Sequence, residues 1–339
     1  MRVLRHLVIF AVVLLFAGSD VRAQDVTWRF FSVSPASHDY AKAIAEGFGR
    51  IEQRSAGRFK VRLVNFSETP YKPSDALQLI RDGLVESTEW TPSYTAGTYP
   101  MLVVPELPFI SPTYPDAAGF QAATNAAWNT PTVQQHLGRL LDQHKAMNLG
   151  RWYYEPLNYW FTKPVESAKD FTGKKIRVAS PEAAEMASAL GGSPVQIFPA
   201  EVYTALQRGT IDGVVTGSGN IRAFKWNDVL RSVYVANLVL VSSSFVISKD
   251  AFAKLTPELQ SILKEEMAAV AANIQRLMPE KDKAQLDSLT AAGMTLVKPS
   301  AETYATFRTL AEEKVWSAWK SRAGGDADKA LAEIKAVKP

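Results

Sequence analysis

Arg177 is the residue of this chain best placed to hold a small molecule. It stands in the stretch Phe171 to Thr216, FTGKKIRVASPEAAEMASALGGSPVQIFPAEVYTALQRGTIDGVVT. A guanidinium there can fork onto a carboxylate through two parallel hydrogen bonds, which supply orientation as well as energy. The competing reading is a solvated arginine on an edge strand. No nucleophile with a nearby base accompanies it at any recognisable spacing, and Gly217-Ser218-Gly219 is not a G-x-S-x-G elbow. The sequence also lacks HExxH, a P-loop and G-x-G-x-x-G. The chemistry on offer is binding.

The elements around Arg177 have clear punctuation. Ile176 to Ala179 reads as a strand, with Arg177 on the face opposite Ile176 and Val178. Ser180 caps a helix with Pro181 in its first turn and Glu182 and Glu185 near its positive end. Gly191 and Gly192 stop that helix, and Val195 to Phe198 is the next strand. A second helix runs from Pro199 to Gly209, and Ile211 to Thr216 is a strand again. Arg177 thus leaves the carboxyl end of a strand in an open α/β sheet, where such sheets bind ligands.

Two runs here, G-K-K-I-R-V at Gly173 to Val178 and E-V-Y-T-A-L-Q-R-G-T-I-D-G at Glu201 to Gly213, resemble a known family. It is that of the solute-binding proteins of tripartite ATP-independent periplasmic (TRAP) transporters, the DctP-type receptors. Weaker matches are S-A-G-R-F-K-V from Ser55, P-E-L-P-F from Pro105 and T-P-E-L-Q from Thr256, so the resemblance runs along essentially the whole mature chain. It implies that Arg177 is the carboxylate-binding arginine. Two departures stand out. Thr216 occupies a position where an asparagine often contacts ligand, and Leu157 falls where some carboxylate-binding members carry a second arginine. Both remove polar anchors, pointing to a ligand less charged than a sugar acid or dicarboxylate.

The first half of the chain repeats the strand-helix logic. Val26 to Ser32 reads as a strand, His38 to Arg54 as a helix with Ala41, Ile44, Phe48 and Ile51 inward, and Phe59 to Phe66 as a strand. Ser74 is expected to cap a short helix, and Leu84 to Trp90 to be the third strand. Such alternation implies parallel βαβ units. Tyr99 to Pro115 reads as a loop without periodicity, and Thr130-Pro131 opens another helix. The aromatic run Ala146 to Thr162 reads as a strand crossing between domains, and Tyr234 to Ile247 as a second crossing. Thr256 caps the longest helix, which extends toward Gly293. Met294 to Val297 is a last strand, followed by a helix capped by Ser300 and a small polar helix after Ala323.

The fold class is therefore α/β, with two domains joined by crossing strands. The TRAP resemblance implies a periplasmic-binding-protein clamshell whose domains are spanned by a long helix. The expected division gives residues 24–150 with 240–277 to one domain, and 151–239 with 278–339 to the other. Further candidates for the cleft are Trp90, Trp152 and Tyr154, whose rings could stack on a ligand, and Ser34 and His38 in the first strand-to-helix loop. Ordinary core packing competes for the aromatics, and helix capping for Ser37. His136 and His144 have no metal-ligand spacing and read as helix-surface residues; no metal or cofactor is expected.

Composition agrees with this class. There are no cysteines, which excludes disulfides, thiolate zinc sites and cysteine nucleophiles. Arg2, Arg5 and His6, then the apolar run Leu7 to Ala17 and Val21-Arg22-Ala23, read as a secretory leader, with a mature start at Gln24. The apolar run is too short to span a bilayer. The formal net charge of +4 falls to +2 without the leader, which argues against a nucleic-acid or anionic-membrane binder. The resemblance implies a periplasmic receptor for a small organic acid, acting with a small and a large membrane permease subunit, and the chain is expected to be a monomer. The rival functions are a secreted α/β hydrolase or lyase, and a binding protein of the same fold serving a sensor kinase.

Overall fold

A computed structural model describes residues 25–111 and 117–337. The leader expected at 1–23 lies outside the described residues. In chain order, β1 (Val26–Ser32) is followed by α1 (Asp39–Arg54), β2 (Phe59–Asn65), α2 (Ala76–Arg81) and β3 (Ser87–Trp90). After a 3-10 stretch, Pro100–Glu106, come α3 (Ala117–Trp128), α4 (Pro131–Gln143), β4 (Ala146–Tyr153) and β5 (Asn158–Phe161). Then follow β6 (Lys175–Val178), α5 (Pro181–Ala189), β7 (Ser193–Gln196), α6 (Pro199–Gln207), β8 (Gly213–Thr216) and α7 (Ser218–Ala223). The remainder is β9 (Ser232–Tyr234), β10 (Ser242–Ser248), α8 (Lys249–Ala253), α9 (Pro257–Ala291), β11 (Thr295–Val297), α10 (Ala301–Leu310), α11 (Ser317–Ala323) and α12 (Ala327–Ala336).

The strands form two sheets, ordered β2-β1-β3-β10-β4 and β11-β9-β5-β8-β6-β7. The βαβ strands are parallel as expected: β1 with β2 and β3, and β6 with β7 and β8. One strand in each sheet runs antiparallel to both neighbours, β10 in the first and β5 in the second. Each is the strand that has just arrived from the other sheet, so the reversal follows from the crossing itself. The run Ala146 to Thr162 is two strands rather than one, broken at Tyr154 to Leu157, where Pro156 has no N–H to give a ladder. The two crossing links lie side by side. Tyr154 N donates to Val241 O (2.8 Å), Leu157 N to Val239 O (3.0 Å) and Leu238 N to Leu157 O (3.0 Å).

Helix α9 reaches from one sheet to the other. Its cap is Thr256, whose hydroxyl accepts from Leu259 N, and Leu259, Ile262, Leu263, Met267, Val270 and Ile274 are buried along one stripe. Glu266 ties it to α1 through Arg50 (2.7 Å) and Arg54 (2.9 Å), and Gln275 donates to Arg151 O at 2.6 Å. Beyond Pro279, Asp282 accepts from Ser218 of α7 at 2.6 Å. Pro279 offers no N–H to the Gln275 carbonyl, so the ladder is interrupted where the helix passes between the sheets.

The C-terminal helices staple both sides. Trp316 and Trp319 donate their indole N–H groups to Pro108 O (3.0 Å) and Pro100 O (2.7 Å), while Arg322 pairs with Glu182 and Glu185 of α5. Three local expectations shift. The 3-10 turn Pro73–Asp75, entered from Lys72, precedes α2, so Ser74 is not its cap. The proline-rich run from Tyr99 contains the 3-10 stretch. His144 is buried at the end of α4, where its Nδ1 pairs with Leu140 O and its Nε2 with the Tyr99 hydroxyl, so it is no surface residue. Among the described residues, no helix is long and apolar enough to cross a membrane, and no group of three His, Cys, Asp or Glu is suited to a metal ion.

Candidate functional site

A cavity lies between the two sheets. Its floor is the paired crossing links, which contribute Tyr154, Leu157, Leu238, Val239 and Val241. The first-sheet side adds Val33 and Ser34 from the loop after β1, then Thr91, Ser93, Tyr94, Glu106 and Pro108. The second-sheet side adds Arg177, Ala179, Ser180, Glu182 and Ala183 from β6 and the start of α5, with Pro199, Val215, Thr216, Gly217 and Asn220. The wall is thus largely apolar, with a few convergent polar groups, the usual make-up of a small-molecule site. Tyr94 of this wall meets Phe198, at the start of α6, with ring centroids 5.7 Å apart.

Arg177 is only 2 % exposed, because β6 is an inner strand between β8 and β7 rather than an edge. Its Nε donates to Ile197 O at 2.7 Å, which fixes the plane of the guanidinium. Its Nη2 is buried with no hydrogen-bond partner. Among the described residues no Asp or Glu pairs with it; burial pushes its pKa down, and the Tyr94 phenol partly offsets this. A desolvated cation with an unused donor is costly unless an anion arrives. The site is therefore poised for an anionic group small enough to enter.

Glu106 is the second ionisable group on the wall. Burial pushes its carboxyl up to about 7, opposed by hydrogen bonds from Ser242 N (2.9 Å), Ser242 Oγ (2.6 Å) and Ser93 Oγ (3.1 Å). Tyr154 is oriented by its hydroxyl, which donates to Glu89; that carboxylate also accepts from Val33 N (2.9 Å) and Ser32 Oγ (3.0 Å). Thr216 accepts from Asn220 Nδ2 at 2.8 Å, one helical turn on, so the carboxamide missing from position 216 enters from α7.

Of the residues singled out from sequence, the cavity brings together Ser34, Tyr154, Arg177 and Thr216, with Leu157 beside them. Trp90, Trp152 and His38 do not line it. Trp90 is fully buried, its indole donating to Thr95 Oγ1 at 3.1 Å, beneath the turn that carries Ser93 and Tyr94. Trp152 packs on Phe245 in the core of the first sheet, centroids 4.5 Å apart. His38 is the cap of α1, its Nδ1 accepting from Tyr40 N at 3.2 Å, and burial lowers its pKa to about 4.

His38 belongs to a buried cluster beside the cavity. A β-carbon on Gly219 would stand 2.5 Å from Glu155 Oε1 and 2.9 Å from His38 Nε2, so the α1 cap, the first crossing link and α7 meet there. Burial, reinforced by Asp282, raises the Glu155 carboxyl to about 7, and burial raises Asp282 to about 6. Sequence reasoning missed Tyr94, Glu106 and Asn220 as wall residues. Glu106 sits inside the P-E-L-P-F run but has no periodicity to assign it a face; Asn220 is legible only once α7 is known to start at Ser218.

A fold of two α/β lobes around an arginine-bearing cleft defines a binding-protein class, and the comparisons agree. Residues 31–321 match the model of the DctP family, bacterial extracellular solute-binding protein family 7, and the chain belongs to that family. Its members are extracytoplasmic solute receptors of the TRAP type, not enzymes. A solute-binding protein of Albidiferax ferrireducens is 24% identical over 318 residues, 91% of this chain and 90% of that one. The DctP7 receptor of Bordetella pertussis, which binds pyroglutamic acid, superposes with a TM-score of 0.81 at 19% identity, covering 91% of this chain and 99% of that chain. A Desulfovibrio salexigens TRAP periplasmic solute-binding protein with bound orotic acid gives 0.80 at 18% identity, over 91% and 97%.

Proposed function

We propose that this receptor captures a monocarboxylate, preferentially one with a ring or bulky apolar body, and delivers it to a TRAP permease of one small and one large membrane subunit. The observation that carries this reading is the buried Nη2 of Arg177, which has no hydrogen-bond partner in the cavity wall. Leu157 supports it by withholding the further cationic anchor that a second carboxylate would need, while Leu238, Val239, Val241 and Tyr154 offer an apolar bed. The pyroglutamic and orotic acids bound by the two similar structures are each ring-bearing monocarboxylates, and agree with it. Ligand bridging both lobes stabilises the closed clamshell, and no covalent step is required. Export through the leader, with release before Gln24, puts the receptor in the periplasm. The lobe division proposed here has its crossings at 154–157 and 235–241, with residues 151–153 kept in the first lobe as the end of β4.

A thermal-shift screen over organic acids tests the proposal. A ligand at about a thousand times its Kd adds about 4 kcal/mol, several degrees in Tm for a protein of this size. Monocarboxylates should give the largest shifts. A screen returning only neutral sugars, polyamines or metal ions rejects the reading.

A further inference from the structure

Arg177 is not the only unsatisfied charged group on the cavity wall. Glu182, the second residue of α5, lines the same cavity and is only 3 % exposed. Its Oε1 accepts from Arg322 Nη2 at 2.8 Å, but its Oε2 is buried and has no hydrogen-bond partner. A buried carboxylate oxygen without a donor is costly, and native structures rarely leave one. Its place in sequence suggests a simple role, a negative charge at the positive end of a helix. That role needs no burial and no approach to a ligand cavity.

We infer that Glu182 is a specificity determinant: it accepts a hydrogen bond from an N–H or O–H group of the bound acid, so the ligand class is a monocarboxylate carrying a donor, such as a lactam, amide or hydroxy acid. The inference rests on the proposal that Arg177 takes the carboxylate. The two groups belong to one strand-helix unit, five residues apart, and both residues line one cavity, one carrying a donor that lacks an acceptor and the other an acceptor that lacks a donor. A ligand with both functions satisfies both at once. The same arrangement discriminates. A dicarboxylate would bring its second anion toward Glu182, and a donorless acid would leave Oε2 desolvated and unpaired. Arg322, in contact with Glu182 and Glu185, holds the carboxylate in place and is a positioning residue.

The test is a set of matched pairs read by isothermal calorimetry. Each monocarboxylate with an N–H or O–H, pyroglutamate among them, is set against the isostere in which that group is replaced by CH2 or ring oxygen. With the wild-type protein, the donor member of the best-binding pair should bind at least tenfold more tightly. Glu182→Gln then has a specific signature. Arg322 still requires an acceptor, so the glutamine keeps its oxygen there and turns its NH2 toward the cavity. The preference should collapse or reverse toward the ring-oxygen isostere, whereas Arg177→Ala weakens both members alike. Equal binding of donor and isostere by wild type, with both lost in Arg177→Ala, overturns the role of Glu182 and leaves the carboxylate site standing. An unchanged preference in Glu182→Gln also overturns it. Binding by neither member of any pair overturns the carboxylate reading and this inference with it. The wild-type ratios need no variant, so misfolding of Glu182→Gln leaves the inference exposed to refutation.

Discussion

Replacing Arg177 with alanine separates a ligand anchor from a structural arginine. In the protein itself the guanidinium donates from Nε to Ile197 O and faces the Tyr94 phenol, and it has no carboxylate partner among the described residues. Losing that bond costs about 1 kcal/mol, and losing a desolvated charge returns part of the cost. The fold should therefore survive with a Tm within a few degrees of wild type. Ligand binding should suffer far more. A forked contact to carboxylate comprises two charge-assisted bonds of about 1.5–3 kcal/mol each, partly replaced by water in the variant. The expected loss is about 2–4 kcal/mol, or about 30- to 1000-fold in Kd. Calorimetric titration gives the affinity, and circular dichroism on heating gives the stability. Arg177→Lys should recover little, since an ammonium cannot hold Ile197 O and fork onto a carboxylate together. An unfolded Arg177→Ala protein, or one whose affinity changes less than about threefold, would refute the reasoning.

Other consequences concern motion and the buried cluster. Saturating ligand should shrink the radius of gyration in small-angle scattering toward the conformation in which Tyr94 meets Phe198, by rotation about the paired links 154–157 and 235–241. Identical radii with and without ligand, and no change in spin-label distances between the lobes, would exclude closure. Glu155 keeps its proton to about pH 7 in the folded state but ionises near its ordinary value when unfolded, so its contribution to stability falls as pH rises between these values. Glu155→Gln should match wild type near pH 5 and exceed it by about 1–3 kcal/mol at pH 8 in urea denaturation; a pH-independent difference would contradict the assignment. Gly219→Ala puts a methyl against Glu155 and His38 and should lower stability by about 1–3 kcal/mol, whereas an unchanged urea midpoint would show that the three elements do not pack there as described.

The fold was legible where local chemistry is strong. Ser180, Thr256 and Ser300 cap the helices they announce, and the 171–216 punctuation gives β6, α5, β7, α6 and β8 within about two residues. The two crossings were readable from β-propensity, but not the break at Glu155-Pro156, since aromatic residues continue on both sides of it. Within the site, Arg177 was legible because a strand end and a helix cap locate it. Trp90 and Trp152 were not, because an aromatic side chain has the same sequence signature in a core as in a cleft. Glu182 was visible only as a helix-terminus charge; its unpaired oxygen depends on Arg322, which is 140 residues away.

A structure of the receptor with its captured ligand would decide whether Arg177 anchors a carboxylate. The account predicts one carboxylate in the cavity between the sheets, an oxygen about 2.7–2.9 Å from Arg177 Nη2, and the body of the ligand over Leu238, Val239 and Tyr154. A ligand seated outside this cavity, or inside it with no acidic group on Arg177, would contradict the account.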